Sequence, residues 1–435
     1  MSYQAHITTL QQRFEHALTQ QGLHAALIYS GHQTYPFMDD NNLPFRVNPF
    51  FKYWLPLTQQ QRSFVYVEVG KKPHLFLFLE DDYWHAQPTI PEGEWQSHFD
   101  ITVIKSTDDV RRALELNLKK TALIAGEVDS FKDWSLAFVN PEPLLNQLIY
   151  DRAYKTQYEI DCMRQANVIA ARAHRAAELA FREGKTELQT HLAYLDAIPC
   201  RESALPYNNI IAFNEAGSIL HYDDYQKVNP DKRLSFLIDA GAQYKGYNSD
   251  ISRTYLYDDN IDTEFTELFE AYKTEYYGLL DEIKLGKDYL EFHDSSHRRI
   301  SKLLSQFELI NLSPEETYAK GYSRLFFPCG TGHYIGLQVH DIGGYMANPK
   351  GEALPKDERY PYLRLRRPME MNTVFTVEPG IYFIQQLLKT IKGDDKVNWS
   401  KLDHFSQFGG FRYEDCIAIT DKGVENLSQE GFDSL

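Results

Sequence analysis

The chain has 435 residues, is 43% hydrophobic and 24% charged, and carries a formal net charge of −16. That length calls for two or three domains, and the acidity argues against nucleic acid or an anionic membrane surface as the main partner. The four cysteines, Cys162, Cys200, Cys329 and Cys416, form no C-x-x-C pair; the N-terminus "MSYQAHITTLQQRFEHAL" is polar, and no apolar run reaches membrane-spanning length. Neither a zinc finger nor a disulfide framework is signalled, and a cytoplasmic location is expected.

The first 150 residues alternate two periodicities. An amphipathic helix is predicted over 3–21, followed by strands at "AALIYS" (25–30), "SFVYVEVG" (63–70) and "PHLFLFLE" (73–80), with a turn at Gly70–Pro73. "ITVIK" and "TALIAGEV" add two strands, with a helical pattern at 107–118 between them. This is an α/β module. Residues 36–57, rich in proline and aromatics, fit neither period and read as an ordered loop, packed on its own domain or on another surface. Thr156-x-x-Glu159 is a capping-box pattern opening a long helix to about Phe181, and Thr186-x-x-Gln189 opens a shorter one. The domain boundary is placed so that residues 1–153 form the N-terminal domain and 154–435 the second. A further helix pair is predicted at 262–285 and 292–308, which hints at a duplicated helix-pair-plus-sheet unit. Three strongly patterned strands carry the rest: "LSFLIDAG", "VFTVEPGIYFI" and "FRYEDCIAIT".

Acids sit inside these apolar strands. Asp239 follows Phe236-Leu237-Ile238, Asp250 precedes Ile251, and the turn-rich "AGAQYKGYNS" between them predicts a hairpin with the two acids opposed. Two such carboxylates need a shared proton, an arginine or a metal to offset their repulsion; Arg253 is the nearest arginine. Glu378 in "TVEPGIYF" and Glu414 in "GGFRYEDC" bring the strand-borne acids to four, too many for separate ion pairs to explain, since buried acids are rare unless paired or metal-bound. "PCGTGHYIGLQVHDIGG" (328–344) adds His333 and His340, with small residues around His333 that would let the backbone approach a metal; His221 is a further candidate. It lacks both a G-x-G-x-x-G pattern and a Walker lysine. Four carboxylates and an imidazole suit a pair of hard-to-borderline divalent ions such as Mn²⁺.

The order Asp239, Asp250, His333, Glu378, Glu414, carried by "LIDAGAQYKGYNSDISRT", "GTGHYIGLQVHD", "TVEPGIYF" and "GGFRYED", resembles the ligand set of the pita-bread metallopeptidases, which include methionine aminopeptidase, aminopeptidase P and prolidase. The resemblance covers the whole chain and is strongest to bacterial Xaa-Pro dipeptidases. It implies an α+β pita-bread (creatinase/aminopeptidase-like) catalytic domain behind the α/β module, and two Mn²⁺ per subunit, replaceable by ions such as Co²⁺. Asp250 and Glu414 would serve both ions, Asp239 one, and His333 and Glu378 the other. It further implies that Glu378 moves the proton, that His221 and His340 flank the substrate, that Arg367 meets its C-terminal carboxylate, and that Tyr207 and Arg412 lie near the site. Arg364 and Arg366 read as a solvated strand end. Small dipeptides are the implied substrates and a homodimer the implied assembly. The alternative is aminopeptidase P-type removal of an N-terminal residue from longer peptides. Organophosphorus acid anhydrolases belong to the same branch, so promiscuous hydrolysis of organophosphate triesters and fluorophosphates stays open. One departure is Tyr334 after the ligand histidine, where a small residue is usual; it bears on pocket shape.

Overall fold

The computed structural model describes residues 2–115, 117–257 and 262–435. The chain divides into two compact units: residues 1–159 with 347–352, and residues 160–346 with 353–435.

The first unit opens with helix α1 (Tyr3–Gln20), whose start is fixed by the Ser2 side chain accepting a hydrogen bond from the Ala5 amide. Strand β1 (Ala25–Tyr29), helix α2 (Pro49–Trp54), strands β2 (Phe64–Glu68), β3 (His74–Phe78) and β4 (Asp100–Ile104), helix α3 (Thr107–Leu114), strands β5 (Thr121–Ile124) and β6 (Phe138–Val139), and helix α4 (Glu142–Arg152) follow. The six strands form one sheet in the order β4-β3-β2-β1-β5-β6, in which only β2 runs against its neighbours. Continuous apolar runs suit such a sheet, buried on both faces. Helix α2 falls within the segment read as loop. Asn48 caps it by accepting from the Phe50 amide, Pro49 occupies its first turn, and Phe50, Phe51, Tyr53 and Trp54 are all buried. Half of that aromatic segment therefore belongs to its own unit's core, while Tyr35, Phe37, Met38 and Leu43 ahead of it are exposed.

In the second unit, helices α5 (Gln157–Arg182) and α6 (Glu187–Asp196) begin at the expected capping boxes. Strands β7 (Ile210–Phe213), β8 (Ser235–Asp239), the short pair β9 (Gln243–Tyr244) and β10 (Tyr247–Asn248), and β11 (Ser252–Leu256) come next. Then follow helices α7 (Thr263–Leu280), α8 (Tyr289–Gln306), α9 (Pro314–Ala319) and α10 (Ser323–Phe326). Strands β12 (Val374–Val377) and β13 (Gly380–Tyr382), helices α11 (Gln385–Leu388) and α12 (Trp399–Ser406), strands β14 (Gly410–Arg412), β15 (Asp415–Thr420) and β16 (Gly423–Asn426), and helix α13 (Leu427–Asp433) complete it. A helix pair followed by a three-stranded antiparallel sheet thus occurs twice, with sheets ordered β11-β8-β7 and β12-β15-β16. The core is aromatic: Phe265 stacks on Phe408 at 4.0 Å and meets Phe405 and Phe411 edge-on. Each such burial contributes about 1.5–3 kcal/mol.

Two expected strands are each broken in two. β12 and β13 are separated by Glu378-Pro379, and β14 and β15 by Tyr413-Glu414. Proline has no amide to donate to a ladder. At both breaks the backbone finds partners elsewhere: the Glu378 amide donates to the Thr331 carbonyl at 2.7 Å and the Glu414 amide to the Ser252 carbonyl at 3.0 Å. The hairpin register also differs from the expectation. Asp239 opposes Ser252, and Asp250 lies beyond the end of the ladder rather than across from Asp239.

Candidate metal centre

The breaks and strand ends bring the acids together. Ligand atoms of Asp250, His333 and Glu414 all lie within 4.8 Å of one another, and all three residues are buried. His333 Nδ1 is 2.9 Å from the Tyr334 carbonyl oxygen, which only accepts, so Nδ1 carries the proton. Nε2 is left facing Asp250 and Glu378, each at 3.5 Å. Asp239 joins through Tyr207, whose hydroxyl lies 2.8 Å from Asp239 Oδ1 and 2.5 Å from Asp250 Oδ1.

Arg412 fixes the other side. Its Nη2 donates to Asp239 Oδ2 at 2.8 Å, its Nη1 to the Tyr382 hydroxyl at 2.9 Å, and its Nε to Ser252 Oγ at 2.7 Å. Ser252 Oγ in turn donates to Glu414 Oε2 at 2.9 Å. Sequence reading did not find Ser252; a hydroxyl in an apolar strand, midway between Asp250 and Arg253, was the available signal. Of the three ways to offset the Asp239–Asp250 repulsion, the arginine nearest in sequence, Arg253, is engaged elsewhere. It pairs with Asp415 at 2.6 Å and donates to the Glu414 carbonyl at 2.9 Å, on the far side of that strand.

Four carboxylates thus face one guanidinium and one imidazole, and their titration registers the imbalance. Burial, partly offset by Arg412, pushes Asp239 up to about 6. Burial pushes Glu378 up to about 7 against the opposing pull of His333. Glu414 is raised well above the carboxylate range by burial and by Asp250, Glu378 and Asp239 together. Burial raises Asp250 too, but the His333 hydrogen bond and charge outweigh it and its net shift is down. His333, opposed by burial, is raised by Asp250 and Glu378. A buried donor set of four hard oxygens groups and one imidazole, short of positive charge, fits divalent cations.

The remaining expected residues fall in two groups. His340 packs edge-on against His333 with ring centroids 4.5 Å apart, and burial, then His333 and Arg364, pushes it down to about 4. His221 is exposed and within the same field. Arg367, expected to meet a substrate carboxylate, lies on the segment that follows Tyr360. It is 2% exposed, its Nε and Nη2 lie 2.8 and 2.7 Å from Glu370 Oε2, and its guanidinium sits over the Tyr334 ring. Arg364, read from sequence as solvated, is the exposed cation that acts on His340. Residue offsets along an irregular segment do not tell which side chain faces a pocket. Tyr334 is itself buried and bridges to Phe375, so it belongs to the core rather than the pocket. The glycine beside it serves the sheet: a Cβ on Gly332 would stand 1.9 Å from the Thr376 carbonyl oxygen. A cavity of about 580 Å³ in the first unit, bordered by Tyr29, Arg62, Glu80, Asp82 and Lys105, shares no residue with this cluster. Among the described residues no helix is long and apolar enough to cross a membrane.

Two family profiles match. That of the N-terminal domain of Xaa-Pro dipeptidase covers residues 1–150, and that of metallopeptidase family M24 covers residues 161–421. The chain is 43% identical over 436 residues to Xaa-Pro dipeptidase 2 of Idiomarina loihiensis, covering 100% of this chain and 99% of that one. It is 40% identical to the Xaa-Pro dipeptidase of Pseudoalteromonas atlantica, covering 98% of each. Among solved structures it superposes on aminopeptidase P from E. coli with the inhibitor Pro-Leu at TM-score 0.74 and 25% identity, over 99% of this chain and 95% of that one. Proline aminopeptidase P II from Yersinia pestis gives TM-score 0.73 at 23% identity, over 99% and 97%, a likeness of fold.

Proposed function

Because this chain belongs to metallopeptidase family M24, we propose that it is a metal-dependent dipeptidase acting on Xaa-Pro dipeptides, with 1–153 as its N-terminal domain and 154–435 as the pita-bread catalytic domain. The observation that carries the reading is the convergence of Asp250, Glu378 and Glu414 on His333, with Asp239 tied to Asp250 through Tyr207, in a chain whose full-length relatives are named Xaa-Pro dipeptidases. Family membership implies a divalent metal. Asp239, Asp250, His333, Glu378 and Glu414 would hold two Mn²⁺, and the bound metal would supply a water acidified to hydroxide near neutral pH.

The chain's own groups do the rest. Glu378, the acid pushed to about 7 by burial, accepts the proton of the attacking water and returns it to the proline nitrogen. His340 is neutral at working pH, so it donates a hydrogen bond to the substrate oxygen as charge develops there. His221 closes the same side. Tyr207 holds Asp239 and Asp250 in place, and Arg412 holds Asp239 and, through Ser252, Glu414. Arg367, buried beside Tyr334, which follows His333, would read the substrate's C-terminal carboxylate. The proline imide carries no N–H, and recognition from the metal side and the carboxylate side does not require one. The exposed Tyr35, Phe37, Met38 and Leu43 support a homodimer through the 36–57 segment, and four free thiols support a cytoplasmic location.

The test is hydrolysis of Ala-Pro, Ala-Pro-Ala and a fluorophosphate by the Mn²⁺-loaded protein. Ala-Pro is expected to be the best substrate. Faster turnover of Ala-Pro-Ala assigns the aminopeptidase P activity instead, and no turnover of any proline peptide refutes the reading.

A further inference from the structure

Helix α8 presents His293, Ser296 and His297 on one face, at the i, i+3, i+4 spacing that stacks side chains along a helix. All three are buried. His293 Nδ1 lies 2.7 Å from Thr331 Oγ1 and accepts from the Thr331 amide at 3.3 Å. Nδ1 is therefore the unprotonated nitrogen and Nε2 carries the hydrogen. Burial pushes His293 down to about 3, which keeps it neutral. Ser296 Oγ reaches the same Thr331 hydroxyl at 2.8 Å. Thr331 is two residues before His333, and its carbonyl accepts the Glu378 amide at 2.7 Å. One side of His293 is thus two hydrogen bonds from the backbone of Glu378.

The other side reaches a second segment. Tyr360 meets the His293 ring edge-on at 4.3 Å and stacks on His297 at 4.8 Å. Its hydroxyl donates to Asp294 at 2.8 Å, and Asp294 also receives Tyr318 at 2.5 Å and Arg359 at 3.2 Å. Tyr360 is four residues from Arg364, on a stretch without helix or strand. Nε2 of both histidines is buried with no hydrogen-bond partner. Leaving such a group unpaired costs about 1–3 kcal/mol, whereas a leucine would fill the space without that cost. Packing alone does not account for His293; the Nδ1 acceptor does.

We propose that His293 is a positioning residue that ties the segment bearing His333 and Glu378 to the segment bearing Tyr360, Arg364 and Arg367, so that metal affinity and carboxylate recognition are set together. The proposal rests on the dipeptidase reading for its second half only.

The experiment compares His293→Leu, His293→Asn and Thr331→Val with wild type, by Mn²⁺ titration calorimetry on chelator-treated protein and by kcat/KM for Ala-Pro and Ala-Pro-amide. His293→Leu is expected to weaken Mn²⁺ binding roughly 10-fold, the low end of the cost for a group bonded directly to a metal ligand, since His293 acts through Thr331, and to lower the Ala-Pro to Ala-Pro-amide ratio. His293→Asn, which keeps an acceptor near the Nδ1 position, is expected to recover most of both. Thr331→Val is expected to weaken Mn²⁺ binding while leaving the ratio unchanged. A His293→Leu protein with a lowered melting temperature but wild-type Mn²⁺ affinity and substrate ratio overturns the proposal. Should His293→Leu not fold, a His293→Phe protein with wild-type Mn²⁺ affinity and substrate ratio overturns it equally. If wild type cleaves neither substrate, the dipeptidase reading fails, and the calorimetry still decides the link to the metal ligands.

Discussion

Replacing Arg412 by methionine separates the two roles open to that residue. Its guanidinium is buried and holds Asp239, Tyr382 and Ser252, and through Ser252 it reaches Glu414. Removing one member of a buried ion pair costs about 3–5 kcal/mol, because the surviving charge stays buried and uncompensated. For a unit of this size each kcal/mol shifts the melting temperature by about 2–4 °C, so the metal-free variant is expected to melt roughly 6–20 °C below wild type. The loss depends on pH. Asp239 already sits near 6, held down by Arg412, and without Arg412 it titrates higher still. Below that range Asp239 is protonated and the pair contributes little; above it the carboxylate is charged and unpaired. The deficit is therefore larger at pH 8 than at pH 5. Bound metal offsets the exposed charge, so the loaded variant recovers part of the loss. Scanning calorimetry with chelator and with Mn²⁺, at both pH values, measures all of this. An Arg412→Met protein that melts like wild type in chelator, with only KM raised, would mean that Arg412 meets the substrate and does not hold the acids.

Arg367→Ala is expected to cut kcat/KM for Ala-Pro roughly 30-fold or more, the loss of a charge-assisted, desolvated contact worth about 2–5 kcal/mol, and to leave Ala-Pro-amide nearly unaffected; equal losses on both substrates sink the assignment. Chelation should abolish activity, and Mn²⁺ should restore it. Because Asp239 and Glu378 have raised folded pKa values, near 6 and 7, the native metal-free chain holds protons that the unfolded chain has released. Their contribution is therefore fully present below about pH 4 and is lost as pH rises to about 7; buried histidines such as His293 and His340, held down to about 3 and 4, act in the opposite direction, so chelated wild type is compared with Glu378→Gln, and a melting difference that stays constant from about pH 4 to about 7 contradicts the site. Gly332→Ala places a Cβ 1.9 Å from the Thr376 oxygen and 2.4 Å from the Tyr289 hydroxyl, so a destabilisation of at least about 1–3 kcal/mol in urea titration is expected. Sedimentation should give a dimer, and replacing the exposed Phe37 and Met38 by serine, which leaves helix α2 intact, should weaken it and lower activity without touching any proposed ligand; a fully active monomer refutes the assembly.

Most elements were legible because their signals are local. The capping boxes at Thr156 and Thr186 and the alternation from Ala25 to Phe78 specify their own geometry. The acids, too, were legible, since a charge inside an apolar run is conspicuous in one dimension. What the sequence did not disclose was pairing at a distance. Arg253 and Arg412 are both strand arginines close to acids, and only the docking of β11 against the β14–β15 break assigns one to Asp415 and the other to Asp239. The α2 helix was masked by its prolines and aromatics, although Asn48-Pro49 marks a helix start. Arg367 and Arg364 lie on a segment with no period, where no pattern predicts facing. His293 was hidden for the opposite reason: it continues the apolar face of a well-formed helix.

The strand breaks at Glu378 and Glu414 bear on how the protein is made. Asp239 and Asp250 leave the ribosome 164 or more residues before Glu414, and the amide of Glu414 closes on Ser252 only after both sheets exist. A nascent chain therefore carries two closely held acids with neither Arg412 nor a complete ligand set to offset them. Contacts so distant in sequence are slow to form, so the centre should assemble in one late closing step, and C-terminal truncations that stop short of β15 should yield chains unable to retain metal rather than weakened enzymes.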